Sequence, residues 1–254
     1  MTATSPRSSG LRIWADLSRA GNFPSVASNV LAALVLSQPD LGQRPHLSLV
    51  LVTMLGGVLA YAGGATLNDV ADARFDAAHR PERPLPRQVI SRRNAAVLGL
   101  LQLAGGAGLL VWLGAGIGWA LGLVAVVAAY DWLHKRWAGS VVLMGACRVA
   151  LAVTVASLPG HGFTPQVLGW IGALFVYIVG LSVLARREYA LGRSGDPAAA
   201  ARAERVGRRV GQMLALIPFV DGIALLLVGA SGPALACALA MPLGRLAQRV
   251  AAST

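Results

Sequence analysis

The chain has 254 residues, 56% of them hydrophobic and only 13% charged, with a mean hydropathy of +0.62. That composition excludes an ordinary soluble domain and indicates a polytopic membrane protein. The net charge of +11 would point to nucleic acid in a soluble chain. Here the basic residues sit between apolar runs, the positive-inside pattern, so nucleic acid is set aside as a partner.

The first residues, Met1 to Gly10, are polar and Ser-rich, and no separate signal peptide is expected. Residues 1–22 read as a cytoplasmic N-terminal segment and residues 23–250 as one membrane domain. Eight apolar segments follow, at roughly 23–38, 47–67, 95–113, 115–133, 140–158, 167–185, 210–228 and 230–247. The third and fourth form one run broken at Gly114-Ala115-Gly116, where the glycines mark a turn. The last two are divided at Ser231-Gly232-Pro233 on the same argument. The fold class expected is therefore all-α, a membrane bundle of about eight transmembrane helices.

Charge tests that count. Arg74, Arg80, Arg83, Arg87, Arg92 and Arg93 lie between the second and third segments, and Lys135 and Arg136 between the fourth and fifth. Seven arginines lie from Arg186 to Arg209. The N-terminal segment holds Arg7, Arg12 and Arg19, and the C-terminal one Arg245 and Arg249. The intervening connections hold only Arg44. Basic loops thus alternate, as eight helices with both ends in the cytoplasm require. The stretch Gly195 to Gly207, Ala-rich and arginine-bearing, reads as a short helix on the cytoplasmic surface.

The stretch from Leu67 to Pro86 carries the chemistry. Of eleven acidic residues in the chain, Asp69, Asp72 and Asp76 fall within eight positions at the end of an apolar run. Such charges are costly at a bilayer edge and mark a functional site by default. On a helix, Asn68, Asp72 and Asp76 fall at i, i+4 and i+8, with Asp69 beside them, so four oxygen donors converge on one patch. Like charges so close need a cation. Magnesium suits them, because it takes one or two carboxylates and completes its shell with phosphate oxygens and water. The following arginines suit phosphate oxygens.

The run N-D-x-x-D-x-x-x-D, then H-R-P-E-R-P-L-P and an I-S, resembles the signature of the UbiA-type intramembrane prenyltransferases. The resemblance implies a helical bundle around a central cavity. In it a polyprenyl diphosphate binds through Mg2+ and its prenyl group is transferred to an aromatic or other lipophilic acceptor. The expected setting is the bacterial inner membrane, with the site facing the cytoplasm. Carried over by position, Asn68, Asp69, Asp72 and Asp76 form the metal motif. Asp72, Asp76, Arg83 and Lys135 are the catalytic candidates. Asn22, Arg80, Arg83, Tyr130, Lys135, Arg148 and Glu188 are the substrate-binding candidates.

Several of these have a plainer reading. Asn22 is placed equally well as the N-cap of a helix starting near Pro24. Tyr130 and Lys135 are equally an interfacial aromatic and a positive-inside lysine. Arg148 lies mid-segment, where a charge is expensive unless it faces a cavity or partner, and Asp221 faces the cavity or pairs with it. The arrangement Tyr130, Lys135, Met144-Gly-x-Cys-Arg148 resembles most the EboC-type branch of the family. Cys147 and Cys237 imply neither disulfide nor metal site, and His46, His79, His134 and His161 show no zinc spacing.

The sequence departs from the family at its second motif, D-x-x-x-D after the sixth segment. Here the place reads Leu184-Ala-Arg-Arg-Glu188-Tyr-Ala-Leu-Gly192. Glu188 matches the first acid, Gly192 replaces the second, and Arg186 and Arg187 invert the charge. Either Glu188 is the sole distal ligand while the arginines neutralise phosphate, or the chain binds a lipid phosphate without the usual chemistry. The rivals to an enzyme are a transporter and a non-catalytic carrier of a prenylated or lipid-like metabolite.

Overall fold

The computed structural model describes residues 10–41, 45–137, 139–192 and 197–250. Among them the regular elements are helices. They are α1 (Gly10–Leu17), a 3-10 turn (Ala20–Asn22), α2 (Phe23–Leu36), α3 (Leu47–His79), α4 (Arg92–Trp112) and α5 (Ile117–Leu133). After these come α6 (Ser140–Ala156), α7 (Pro165–Gly192), α8 (Pro197–Ala215), α9 (Ile217–Leu227) and α10 (Ser231–Val250). Arg7, Arg44, Arg193, Gly195 and Asp196 lie outside the described residues.

Helix α2 is the axis of the bundle. Pro24 sits in its first turn, where the missing N–H costs nothing. Its residues are apolar or small all round, the pattern of a fully enclosed helix, and α3, α6, α7, α9 and α10 pack against it. Four helical stretches are long and apolar enough to cross a membrane: Leu47–His79, Arg92–Trp112, Pro165–Glu188 and Ala198–Leu227. The shorter apolar helices Ala20–Leu36, Ile117–Leu133 and Ser140–Ala156 lie among them. Leu100, Leu101, Leu121, Val176 and Leu239 point outward, an apolar exterior that fits lipid and not water. Exposed Trp112 and Trp119 mark one end of the bundle, Trp132 and Trp137 the other, as interfacial belts do.

Helix α3 sets the position of the site. Its 33 residues are about 50 Å long, against an apolar bilayer core of about 30 Å. The part beyond Leu67 therefore continues as helix past the apolar stretch and carries the acidic residues with it. Helix α4 holds α3 at backbone distance: a Cβ at Gly63 would collide with the Leu103 backbone, and one at Gly106 with the Ala60 backbone. A cavity of about 340 Å3 opens between α2, α3 and α10, lined by Phe23, Ala27, Leu31, Met54, Val58 and Leu243 among others.

The turn expected at Gly114-Ala115-Gly116 is present. Helix α4 ends at Trp112, Gly114 takes φ 98° and the Ala115 N–H bonds back to Leu110 O at 3.0 Å. Two boundaries differ from expectation. The break before α10 falls at Val228–Ala230, with Gly229 at φ 77°, and Ser231-Gly232-Pro233 form the first turn of α10, where proline is tolerated. The stretch through Gly207 is not a separate short helix. Helix α8 runs on to Ala215, and a one-residue break at Leu216 precedes α9, whose early proline, Pro218, cannot continue the α8 hydrogen-bond ladder.

Candidate functional site

A helix turns about 100° per residue, so with Asn68 at zero, Asp72, Asp76 and Asp69 stand at about 40°, 80° and 100° around α3. All four are at least nine-tenths buried. They share one face, as expected, and most partners differ between the two edges of the arc, but Arg19 spans both, its Nη2 lying 3.4 Å from Asn68 Oδ1 and 3.2 Å from Asp69 Oδ1. At one edge Asn68 donates through Nδ2 to Asp131 Oδ1 at 3.2 Å. Asp72 Oδ2 faces His134 Nε2 at 3.0 Å and Lys135 Nζ at 3.2 Å. At the other edge Arg83 Nη1 bridges Asp69 Oδ1 and Asp76 Oδ2, both at 3.0 Å, and Arg19 Nη2 reaches Asp69 Oδ1 at 3.2 Å.

Three elements outside α3 supply these cations, each for a local reason. Arg19 takes a left-handed conformation, φ 50°, uncommon without a glycine; it turns the chain between α1 and the 3-10 turn and delivers the guanidinium inward. Burial opposes its charge, but Asp69, with the nearby Tyr61 and Tyr130, outweighs this and raises its pKa. Arg83 belongs to the turns after α3, where its amide bonds to Arg80 O at 3.2 Å. Burial, and then Arg19 close by, hold its pKa below the usual value. Lys135 follows the C-cap of α5, with Nζ 3.8 Å from the Phe75 ring centre. Burial lowers its pKa and Asp72 restores part of the loss.

His134 was not singled out from the sequence, yet it lies at the heart of the patch. Its Nδ1 faces Tyr130 O at 3.2 Å and Asp131 O at 3.1 Å, while Nε2 faces the Asp72 carboxylate. Every partner is an acceptor, an arrangement that a ring bearing both N–H groups satisfies. Its place four residues after Tyr130 and beside Lys135 was the available signal. Arg19 and Asp131 were missed too. Nothing local marks Arg19, because only the folded N-terminal turn brings it to residues fifty positions away.

The other candidates lie at varied distances from this patch. Tyr130 stacks on His134 with ring centres 5.1 Å apart, but its hydroxyl turns to Met144 Sδ at 3.7 Å. Arg80, half-buried at the C-cap of α3, is close enough to influence Asp76, Arg83, Lys135 and Glu188. Glu188 is half-buried on α7 against Gly207 of α8 and makes no ion pair among the described residues. Arg186 is committed elsewhere: its Nη2 donates to His134 O and Trp137 O, both at 3.0 Å, and to Ser140 Oγ at 2.7 Å.

Deeper in the bundle a second polar group forms around α2. Asn22 makes no cap contact with the α2 amides; its Nδ2 donates to Tyr61 Oη at 2.9 Å. Arg148 lies over the Tyr61 ring, 5.2 Å from its centre, and donates to Asn29 Oδ1 at 2.7 Å and Ser25 Oγ at 3.2 Å. Asp221, fully buried, accepts from Ser28 Oγ at 2.6 Å, Asn29 Nδ2 at 2.8 Å and Trp170 Nε1 at 2.9 Å. Asp221 and Arg148 are thus joined through the Asn29 amide and not by direct contact. The orientation of that amide is fixed by chemistry: a guanidinium only donates and a carboxylate only accepts.

The donor set fits a hard cation shared with a ligand. Asp76 Oδ1 is buried and has no hydrogen-bond partner among the described residues. No three His, Cys, Asp or Glu side chains among the described residues form a ready metal cage. Magnesium needs only one or two carboxylates when phosphate oxygens and waters complete its shell.

The sequence profile of the UbiA prenyltransferase family matches residues 26–253. Protoheme IX farnesyltransferase of Mycobacterium leprae is 35% identical over 165 residues, 56% of this chain and 52% of that protein. Digeranylgeranylglyceryl phosphate synthase of Pyrococcus abyssi is 32% identical over 142 residues, 47% of this chain and 49% of that one. The match therefore spans about half the length of these curated relatives. Among solved structures, a UbiA homolog from Archaeoglobus fulgidus bound to GPP and Mg2+ superposes with a TM-score of 0.60 at 13% identity, covering 92% of this chain and 99% of that one. An apo UbiA homolog from Aeropyrum pernix K1 gives 0.54 at 16% identity, covering 90% and 98%. These likenesses show a shared fold.

Proposed function

The chain belongs to the UbiA prenyltransferase family, and from that premise we propose that it transfers a prenyl group from a prenyl diphosphate to a lipophilic or aromatic acceptor within the membrane. The observation that carries this is the meeting of three buried carboxylates with cations from three separate elements, at the polar end of a long apolar helix. The relatives named above point the same way: two are called a farnesyltransferase and a digeranylgeranylglyceryl phosphate synthase, and one solved homolog holds GPP and Mg2+.

Asp69, Asp72 and Asp76, with Asn68 beside them, would hold magnesium, which supplies positive charge to the leaving diphosphate. Arg83, Lys135 and Arg19 would turn from the carboxylates to phosphate oxygens, since guanidinium and ammonium groups serve both. The allylic C–O bond breaks with its electron pair kept by the diphosphate. The acceptor then forms the new bond to the prenyl carbon and loses a proton. The apolar cavity between α2, α3 and α10 would take the prenyl chain, and its walls exclude water from the electron-poor carbon. Phe23 lines that cavity and meets Tyr61 edge-on at 6.3 Å between ring centres, which joins it to the polar interior beside Arg148. The alternation of basic loops supports a site on the cytoplasmic side of its membrane.

One observation favours a carrier that binds without transferring: the second acidic motif lacks an acid at Gly192, and Arg186 is engaged with the loop before α6. Release of diphosphate separates the two. Purified protein in lipid nanodiscs with labelled GPP, magnesium and a panel of acceptors yields labelled prenylated product and diphosphate if it is the enzyme. Binding of GPP without release identifies the carrier.

A further inference from the structure

Helix α5 ends at Leu133, and its last carbonyls lack partners within the helix. The loop residues that follow, 134–137, present His134 and Lys135 to Asp72. Ser140, buried at the first turn of α6, donates through Oγ to His134 O at 3.2 Å. Arg186 reaches across from α7 and gives one nitrogen, Nη2, to three acceptors: His134 O, Trp137 O and Ser140 Oγ. Those acceptors include both ends of the loop. A cation at a helix C-terminus is also electrostatically favoured. The two protons of Nη2 have three acceptors between them, so that nitrogen has none left for a phosphate oxygen.

We infer that Arg186, two residues before Glu188, is a positioning residue that latches the loop and sets His134 and Lys135 against Asp72. This goes beyond the prenyl-transfer reading and rests on it only for its kinetic consequence. The positive charge that Arg186 brings just before Glu188 then has a physical meaning: it grips the loop that carries two of the groups facing Asp72. Arg187, one residue on and exposed, points away from this contact.

Two measurements test it, on the full chain in nanodiscs. The first needs no activity. The loop carries trypsin sites after the exposed Lys135 and Arg136, and release of the latch should loosen the backbone that a protease must open to cut there. Cleavage after Arg136 is expected to be at least tenfold faster in Arg186→Gln than in wild type, with Arg186→Lys between them and cleavage after exposed Arg92 unchanged. Equal rates at Arg136 in all three proteins overturn the latch. The second is a double-mutant cycle read in kcat for prenyl transfer. Arg186→Gln is expected to lower kcat about tenfold in wild type and less than twofold in Lys135→Met with His134→Ala, because the groups it positions are gone. An equal tenfold loss in both backgrounds means that Arg186 contacts the reacting diphosphate itself, and overturns the inference. A wild type that transfers no prenyl group defeats the functional reading instead, while the cleavage result still decides the latch.

Discussion

Asp221 is fully buried and has no cation bonded to it among the described residues; its oxygens are met by the donated bonds of Ser28, Asn29 and Trp170. Replacement by leucine would orphan those donors in an apolar interior. The expected loss is about 3 kcal/mol, read as a lowered midpoint of thermal unfolding in detergent, with Asp221→Asn losing less. A midpoint unchanged in the leucine variant would remove the network from the account. Asp72 behaves differently, because it faces Lys135 and His134 where a ligand would enter. Asp72→Ala is expected to fold and insert, yet to lose the thermal stabilisation that magnesium and pyrophosphate together give the wild type. A variant that keeps the full ligand-induced shift contradicts the metal assignment. At this scale the sequence was legible where spacing along one helix decides geometry, as for Asn68, Asp69, Asp72 and Asp76. It was silent where two distant segments meet, as for Arg19 against Asp69, because no local pattern encodes a contact across fifty residues.

Helix α3 and helix α4 show how the element scale positions the site. Their glycines alternate across the contact, and that packing fixes the stem that carries the acidic end of α3. Gly63→Val is expected to cost about 2 kcal/mol or more through backbone collision, whereas Gly105→Ala, which meets open space, is expected to stabilise by about 0.5–1 kcal/mol. Paired unfolding midpoints check this; equal effects at the two positions would contradict the packing. The helices themselves were legible from apolar runs, and the turn after α4 from its glycines. The boundaries near Leu216 and Gly229 were not. Proline opens a helix as readily as it ends one, so Pro218 and Pro233 mark the start of α9 and α10 where the sequence reading saw continuity or a break.

At the scale of the whole molecule, the acidic patch, the basic loops and the exposed Trp132 and Trp137 lie at one end of the bundle, and Trp112 and Trp119 at the other. The orientation expected from the positive-inside rule puts Arg87 inside the cell and Gln166, at the start of α7, outside. Single cysteines at these two positions, in a background lacking Cys147 and Cys237, should therefore differ. An impermeant thiol reagent on intact cells should label position 166 and spare position 87, and the reverse pattern would invert the topology. Arg193, also expected on the cytoplasmic side, lies outside the described residues.

The central claim is that the carboxylates of α3 and the cations around them activate a prenyl diphosphate for transfer. Its most direct test is labelled prenyl transfer in nanodiscs, with wild type and Asp76→Asn compared at saturating magnesium and under chelation. The account predicts acceptor prenylation with stoichiometric diphosphate release in wild type, loss of both under chelation, and a fall of at least a hundredfold in Asp76→Asn. Transfer that survives chelation, or that Asp76→Asn leaves intact, would contradict it.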